Sequence, residues 1–200
     1  MLTSILANLI GGVAFLFIFW KKLREDYPSY QVFTTAFYII AGASLGFILS
    51  LKSFPPWWFW AGFIGILAGL GLGVLRFKFR FFESFEASIF GLLPWLSLIF
   101  LADSIKSSSV ASFLAFVLAV GLIGLYYYFD KHYKNFSWYR SGRIGFSGLT
   151  VAGAFFLLRA LFAIAFPFVI SFVNKYEVVL SGVSAFILFL LTFNLARQKT

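Results

Sequence analysis

Apolar runs about as long as a bilayer is thick, parted only by short charged stretches, constrain this chain more than any other feature. Roughly 20 apolar residues at 1.5 Å per residue make a helix that crosses a hydrocarbon core of about 30 Å. Seven such runs are read, over 2–20, 32–51, 57–75, 87–102, 110–129, 146–167 and 178–196. They are continuously apolar and do not alternate, which predicts helices and not barrel strands. Of the 200 residues, 62% are hydrophobic and 12% charged. Soluble domains carry about 25% charged residues, so this chain cannot close a water-soluble surface. The expectation is an all-α, polytopic membrane protein with residues 1–200 forming one integral membrane domain. The first run is too long, and too poor in preceding Lys or Arg, for a cleavable signal, and is expected to stay.

The basic residues give this layout a direction. Lys21, Lys22, Arg24, Arg76, Lys78, Arg80, Lys131, Lys134, Arg140, Arg143, Arg197 and Lys199 all fall on one side of the seven spans. Lys52, Lys106 and Lys175 fall on the other. A bias of twelve to three predicts an outside N-terminus and a cytoplasmic tail, in a plasma or inner membrane. The net charge of +9 is then read against anionic lipid, with no nucleic-acid partner expected. Pro55, Pro56, Trp57, Trp58 and Trp60 read as an outer interfacial belt, and Tyr126, Tyr127, Tyr128, Trp138 and Tyr139 as an inner one.

Chemistry-bearing residues are few. There is no cysteine, and no zinc-protease, paired-carboxylate metal or phosphate-loop motif, so no metal or cofactor is expected. The last span lacks the lysine that a retinal protein needs, and no internal repeat marks a transporter. Glu83, Glu86, Glu25, Asp26 and Asp130 read as peripheral acids, and His132 as a solvated interfacial histidine. Pro94 and Pro167 are expected to kink or end their helices. Arg159 is the exception. It lies about 13 residues after Phe146, roughly 20 Å into the bilayer, where an arginine costs about 2.5–3.5 kcal/mol. It is expected to point into the bundle, either paired with Asp103 or clamping the phosphate of a headgroup. Gly62, Gly65, Gly69 and Gly73 recur on one face of span three, opposite Gly42 and Gly46 of span two. Small residues at that spacing predict close helix packing or a glycine-lined groove for a headgroup.

In order along the chain, these features resemble the prolipoprotein diacylglyceryl transferases of bacterial envelopes. The stretch GFIGILAGLGLGV is similar to the family's glycine-rich third span, with Ala68 and Gly69 in its Gly-Gly places. SFEASIFGLLPWLSLIFLADS resembles its proline-containing fourth span. GLTVAGAFFLLRALFAIAFP, with Gly148, Gly153, Arg159 and Pro167, resembles its sixth. The resemblance implies action on phosphatidylglycerol, with the diacylglyceryl group passing to the lipobox cysteine of a prolipoprotein. It makes Arg159 the candidate catalytic residue, and Arg159, Asp103, Gly65, Gly69 and Gly148 the candidate substrate-binding residues. Leu67 stands where the family has histidine, and LADSIKSSS over 101–109 replaces its Arg-x-Gly-Asn-x-x-Asn-Gly-Glu segment. Loss of a general base costs roughly 10²–10⁴-fold. The residues themselves therefore favour a non-catalytic relative that binds phospholipid or a partner protein. A small channel or transporter with Arg159 in its path is the third reading.

Overall fold

The computed structural model describes residues 2–136, 139, 141, 143–166, 171–173 and 176–197. Seven α-helices carry it: α1 (Leu2–Leu23), α2 (Ser29–Ser53), α3 (Trp58–Phe77), α4 (Phe81–Ser107), α5 (Val110–His132), α6 (Phe146–Ala165) and α7 (Tyr176–Arg197). No strand occurs among the described residues. All seven helices are long and apolar enough to cross a membrane. The chain is a multi-pass membrane protein.

Local chemistry sets the helix ends. Pro55 and Pro56 follow the end of α2 and open a single 3₁₀ turn, Pro55–Trp57, that leads into α3. α3 and α4 stop where Lys78 and Ser108 take left-handed φ values of 58° and 51°. The Ser109 hydroxyl accepts a hydrogen bond from the Ser112 N–H at 3.3 Å and caps α5. α4 departs most from its expected span of 87–102. It begins at Phe81, so Glu83 and Glu86 lie in its first two turns and are buried, at 5% and 2% exposure. These acids are not peripheral: Glu86 is held by Gly145, Gly148 and Tyr126 inside the bundle, and Glu83 by Tyr27 of the turn after α1. Asp130 lies in the last turn of α5, at the edge of the bundle. α4 runs on through Pro94 without ending; Pro167, Trp138, Arg140, Lys175 and Lys199 lie outside the described residues.

α4 sits at the centre, packed on by α1, α5 and α6, with α7 laid against α6. α2 and α3 form a hairpin with the most intimate seam in the molecule. A Cβ added at Gly65 would strike the Gly42 carbonyl, and one at Gly69 the Tyr38 carbonyl. In lipid, where neighbouring chains are as apolar as leucine, such close backbone approach supplies the attraction between helices. The glycine face is thus filled by the backbone of α2. That corrects the expectation of a headgroup groove at Gly65 and Gly69. Trp95 of α4 covers Gly11 of α1 in the same manner. The hairpin docks on the bundle through aromatic rings of α3, with Phe63 5.1 Å and Trp60 5.6 Å from Phe156 of α6. Outward faces are plainly apolar; Leu75, for instance, is 80% exposed.

Candidate functional site

Of the buried carboxylates, Glu177 and Glu86, one near each end of the bundle, organise the polar interior. Arg159 sits on α6, six residues before its last residue. Its Nε donates to Glu177 Oε1 at 2.9 Å, and its Nη2 lies 2.7 Å from the same oxygen. Nη1 donates to the Ser171 hydroxyl at 3.0 Å, and Nη2 to the Ser171 carbonyl at 2.9 Å. The ring of Phe59 lies 3.6 Å from the guanidinium carbon, a stacked cation–π contact in a dry setting. Glu177, in the first turn of α7, is completed by other donors. Ser181 donates to Oε1 at 2.5 Å, while Trp60 Nε1 and the Val173 N–H donate to Oε2 at 3.0 and 3.3 Å. Both side chains are sealed, with 4% and 0% exposure. A buried pair survives only when its geometry is good and its remaining lone pairs are satisfied, and here both conditions hold.

Arg159 points into the bundle, as its insertion cost requires. Its partner is Glu177 and not Asp103. Asp103 instead accepts a hydrogen bond from the Ser112 hydroxyl at 2.5 Å, tying the end of α4 to the start of α5. The cavity beside Arg159, walled by Phe100, Leu122, Phe155 and Phe162 among others, measures about 30 Å³. That is room for about one water molecule, far short of a phosphate headgroup. Gly148 is also occupied, because Glu86 packs directly on it with its Cα 2.6 Å from where a Cβ would stand.

Glu86 is the second carboxylate. Its Oε2 accepts the N–H groups of Gly145 and Gly148 at 2.9 and 3.3 Å, so a residue of α4 caps the N-terminus of α6. A carboxylate there satisfies orphan donors and complements the helix dipole. Its Oε1 accepts from the Tyr126 hydroxyl at 3.2 Å. Lys22, in the last turn of α1, stands 3.5 Å from Oε1 and 2.6 Å from Asp130 Oδ1 of α5. Near them the Tyr27 hydroxyl donates to Glu83 Oε2 at 2.9 Å and accepts from the Arg80 N–H at 3.1 Å. Burial pushes the Tyr27 phenol above its ordinary range.

Trp60 and Tyr126, expected in the interfacial belts, are therefore interior residues, buried because each donates to a carboxylate. Trp57, Tyr127 and Tyr128 are exposed at the helix ends. His132 is exposed as well, with Nδ1 2.9 Å from the Tyr128 carbonyl. Reading the sequence missed Glu177, Ser171, Glu86 and Lys22. The one available signal for Glu177 was an acid opening the span that follows the arginine. Compared with family models, curated proteins and solved structures, the chain matches none.

Proposed function

We propose that this is a multi-pass protein of a bacterial cytoplasmic membrane that binds anionic phospholipid without transferring its diacylglyceryl group. In this reading the basic loops face the cytoplasm, the N-terminus lies outside and the tail inside. The carrying observation is the engagement of Arg159. A headgroup phosphate would have to displace Glu177 and Ser171 together, leaving a buried carboxylate unpaired. The same seal speaks against a solute path along this arginine. Lipid binding is supported by the crowding of cations at one end, where each Lys or Arg near an anionic leaflet adds about 1 kcal/mol of attraction. The resemblance to diacylglyceryl transferases supplies phosphatidylglycerol as the lipid, and a prolipoprotein as the partner, to test first.

The test uses purified protein in proteoliposomes with labelled phosphatidylglycerol and a lipobox peptide. The expected result is retention of phosphatidylglycerol by the protein and no label on the peptide. Labelled peptide above the protein-free control would overturn the non-catalytic reading. A reporter fused after Thr200 should be active only in the cytoplasm, and activity outside would reverse the orientation.

A further inference from the structure

At the end of the bundle that carries the basic loops, four exposed cations share one arrangement. Lys21 lies over Phe17, Arg24 over Trp20, Lys131 over Tyr127 and Arg197 over Phe193, at 4.2–5.9 Å from the ring centres. Each rests on the ring four residues before it, the neighbour that helical spacing provides. Arg76 departs from this pattern. It is the last residue but one of α3, and its Nη1 donates across the seam to the Tyr38 hydroxyl of α2 at 2.5 Å. The guanidinium carbon also lies 6.0 Å from the Tyr38 ring centre and 5.5 Å from that of Phe77.

The donors gathered at Arg76 outnumber the acceptors. A guanidinium carries five N–H groups, and Tyr38 takes one of them. No described carboxylate forms an ion pair with Arg76. The Tyr38 hydroxyl accepts, so its own hydrogen is free, and no acceptor for it occurs among the described residues. The two side chains are also held in place. The Tyr38 carbonyl abuts Gly69 of α3, which fixes Tyr38 to the helix that carries Arg76. Its ring leans toward the start of α2, as helical side chains do, and meets the guanidinium there. Leu72, one turn before Arg76 on the same face of α3, and Leu75 beside it are both exposed. An anion seated on Arg76 thus has apolar surface directly next to it, on the bilayer side.

We infer that Arg76 and Tyr38 bind the phosphate of one anionic phospholipid lying along the α2–α3 hairpin, with an acyl chain against Leu72 and Leu75. The guanidinium offers the phosphate two parallel N–H groups, which a lysine cannot do, and the phenol adds a further donor. The inference rests on the phospholipid-binding reading above and gives that reading a site. It uses neither Arg159 nor Glu177.

The experiment is native mass spectrometry of the full chain in neutral detergent, titrated with phosphatidylglycerol or with phosphatidylcholine of the same acyl chains. Wild type should prefer phosphatidylglycerol. Arg76→Lys, which keeps the charge and loses the fork, should bind phosphatidylglycerol about fivefold more weakly at an unchanged melting temperature. Tyr38→Phe, which removes only the hydroxyl, should weaken it about threefold. Lys131→Gln, which removes a charge elsewhere at the same end, should cost less than Arg76→Lys, which removes none. Wild type that prefers phosphatidylglycerol while Arg76→Lys and Tyr38→Phe bind as wild type does would overturn the site and leave the phospholipid-binding reading standing on diffuse charge. So would a larger loss in Lys131→Gln. Wild type that holds phosphatidylglycerol no more tightly than phosphatidylcholine would overturn both. Release of the lipid by an equal concentration of glycerol phosphate would show a site for a free phosphate and overturn the lipid assignment. Should one of the two site variants fail to fold, the other decides alone.

Discussion

Glu177 and Glu86 are both carboxylates buried in a membrane protein, yet they are satisfied by opposite means. Glu177 faces an arginine as deeply buried as itself, and the two share one sealed site with Ser171, Ser181 and Trp60. Glu86 is held chiefly by uncharged donors, two backbone N–H groups and a phenol, while its lysine is 26% exposed. Where a charge is balanced by another buried charge, neither can be removed alone. Where it is balanced by a helix N-terminus and neutral donors, the nearby cation becomes dispensable. The first arrangement locks α6 to α7 and α3. The second sets α6 on α4 and leaves a wettable edge.

The largest effect should come from breaking the sealed pair. Arg159→Ala or Glu177→Ala should each cost about 3–5 kcal/mol in equilibrium unfolding in mixed detergent micelles, a large part of a typical stability. Replacing both by methionine should recover most of that loss. Arg159→Ala combined with Asp103→Ala should be additive within about 0.5 kcal/mol; strong coupling there would restore Asp103 as the partner and dissolve the contrast. Gly148→Ala comes next. Its new methyl would press on the Glu86 backbone, at an overpacking cost of about 1–3 kcal/mol by the same assay. Glu86→Ala should cost about 2 kcal/mol by orphaning two N–H groups and the Tyr126 hydroxyl. A loss equal to that of Glu177→Ala would show that the two carboxylates are alike after all. Lys22→Met should fall below about 1 kcal/mol, as partly exposed pairs do, and a larger loss would make Lys22 a true counterion.

The spans were legible because twenty apolar residues in a row have one stable use in a bilayer. The small face was legible too, since Gly62, Gly65, Gly69 and Gly73 recur at three- and four-residue spacings along α3. What occupies that seam was not legible. Periodicity shows that a face is small, and cannot tell a lipid from the Tyr38 or Gly42 carbonyl that fills it. The start of α4 was set too late because Glu83 and Glu86 interrupt the apolar run, and a linear reading treats a carboxylate as an edge. Their satisfaction by Tyr27, Tyr126 and the α6 N-terminus is a tertiary fact. The Arg159 site was half readable. An arginine inside a span demands a partner, but depth alone did not single one out, because Asp103 and Glu177 lie towards the same end. Asp103 was settled locally by Ser112, nine residues on, which left Glu177.

The sealed pair also bears on how the chain enters its membrane. Arg159 is made before Glu177, which follows 18 residues later. At about 5–20 residues per second, the growing chain holds an unmatched guanidinium for roughly one to four seconds. Left by itself in lipid, α6 would carry the full insertion penalty of that charge. The apolar residues of α6 carry that cost, and the charge itself is matched only once α7 emerges and brings its carboxylate. α6 and α7 are thus coupled in assembly, the second leg relieving the penalty that the first has carried. A chain cut between them would leave Arg159 buried without its carboxylate.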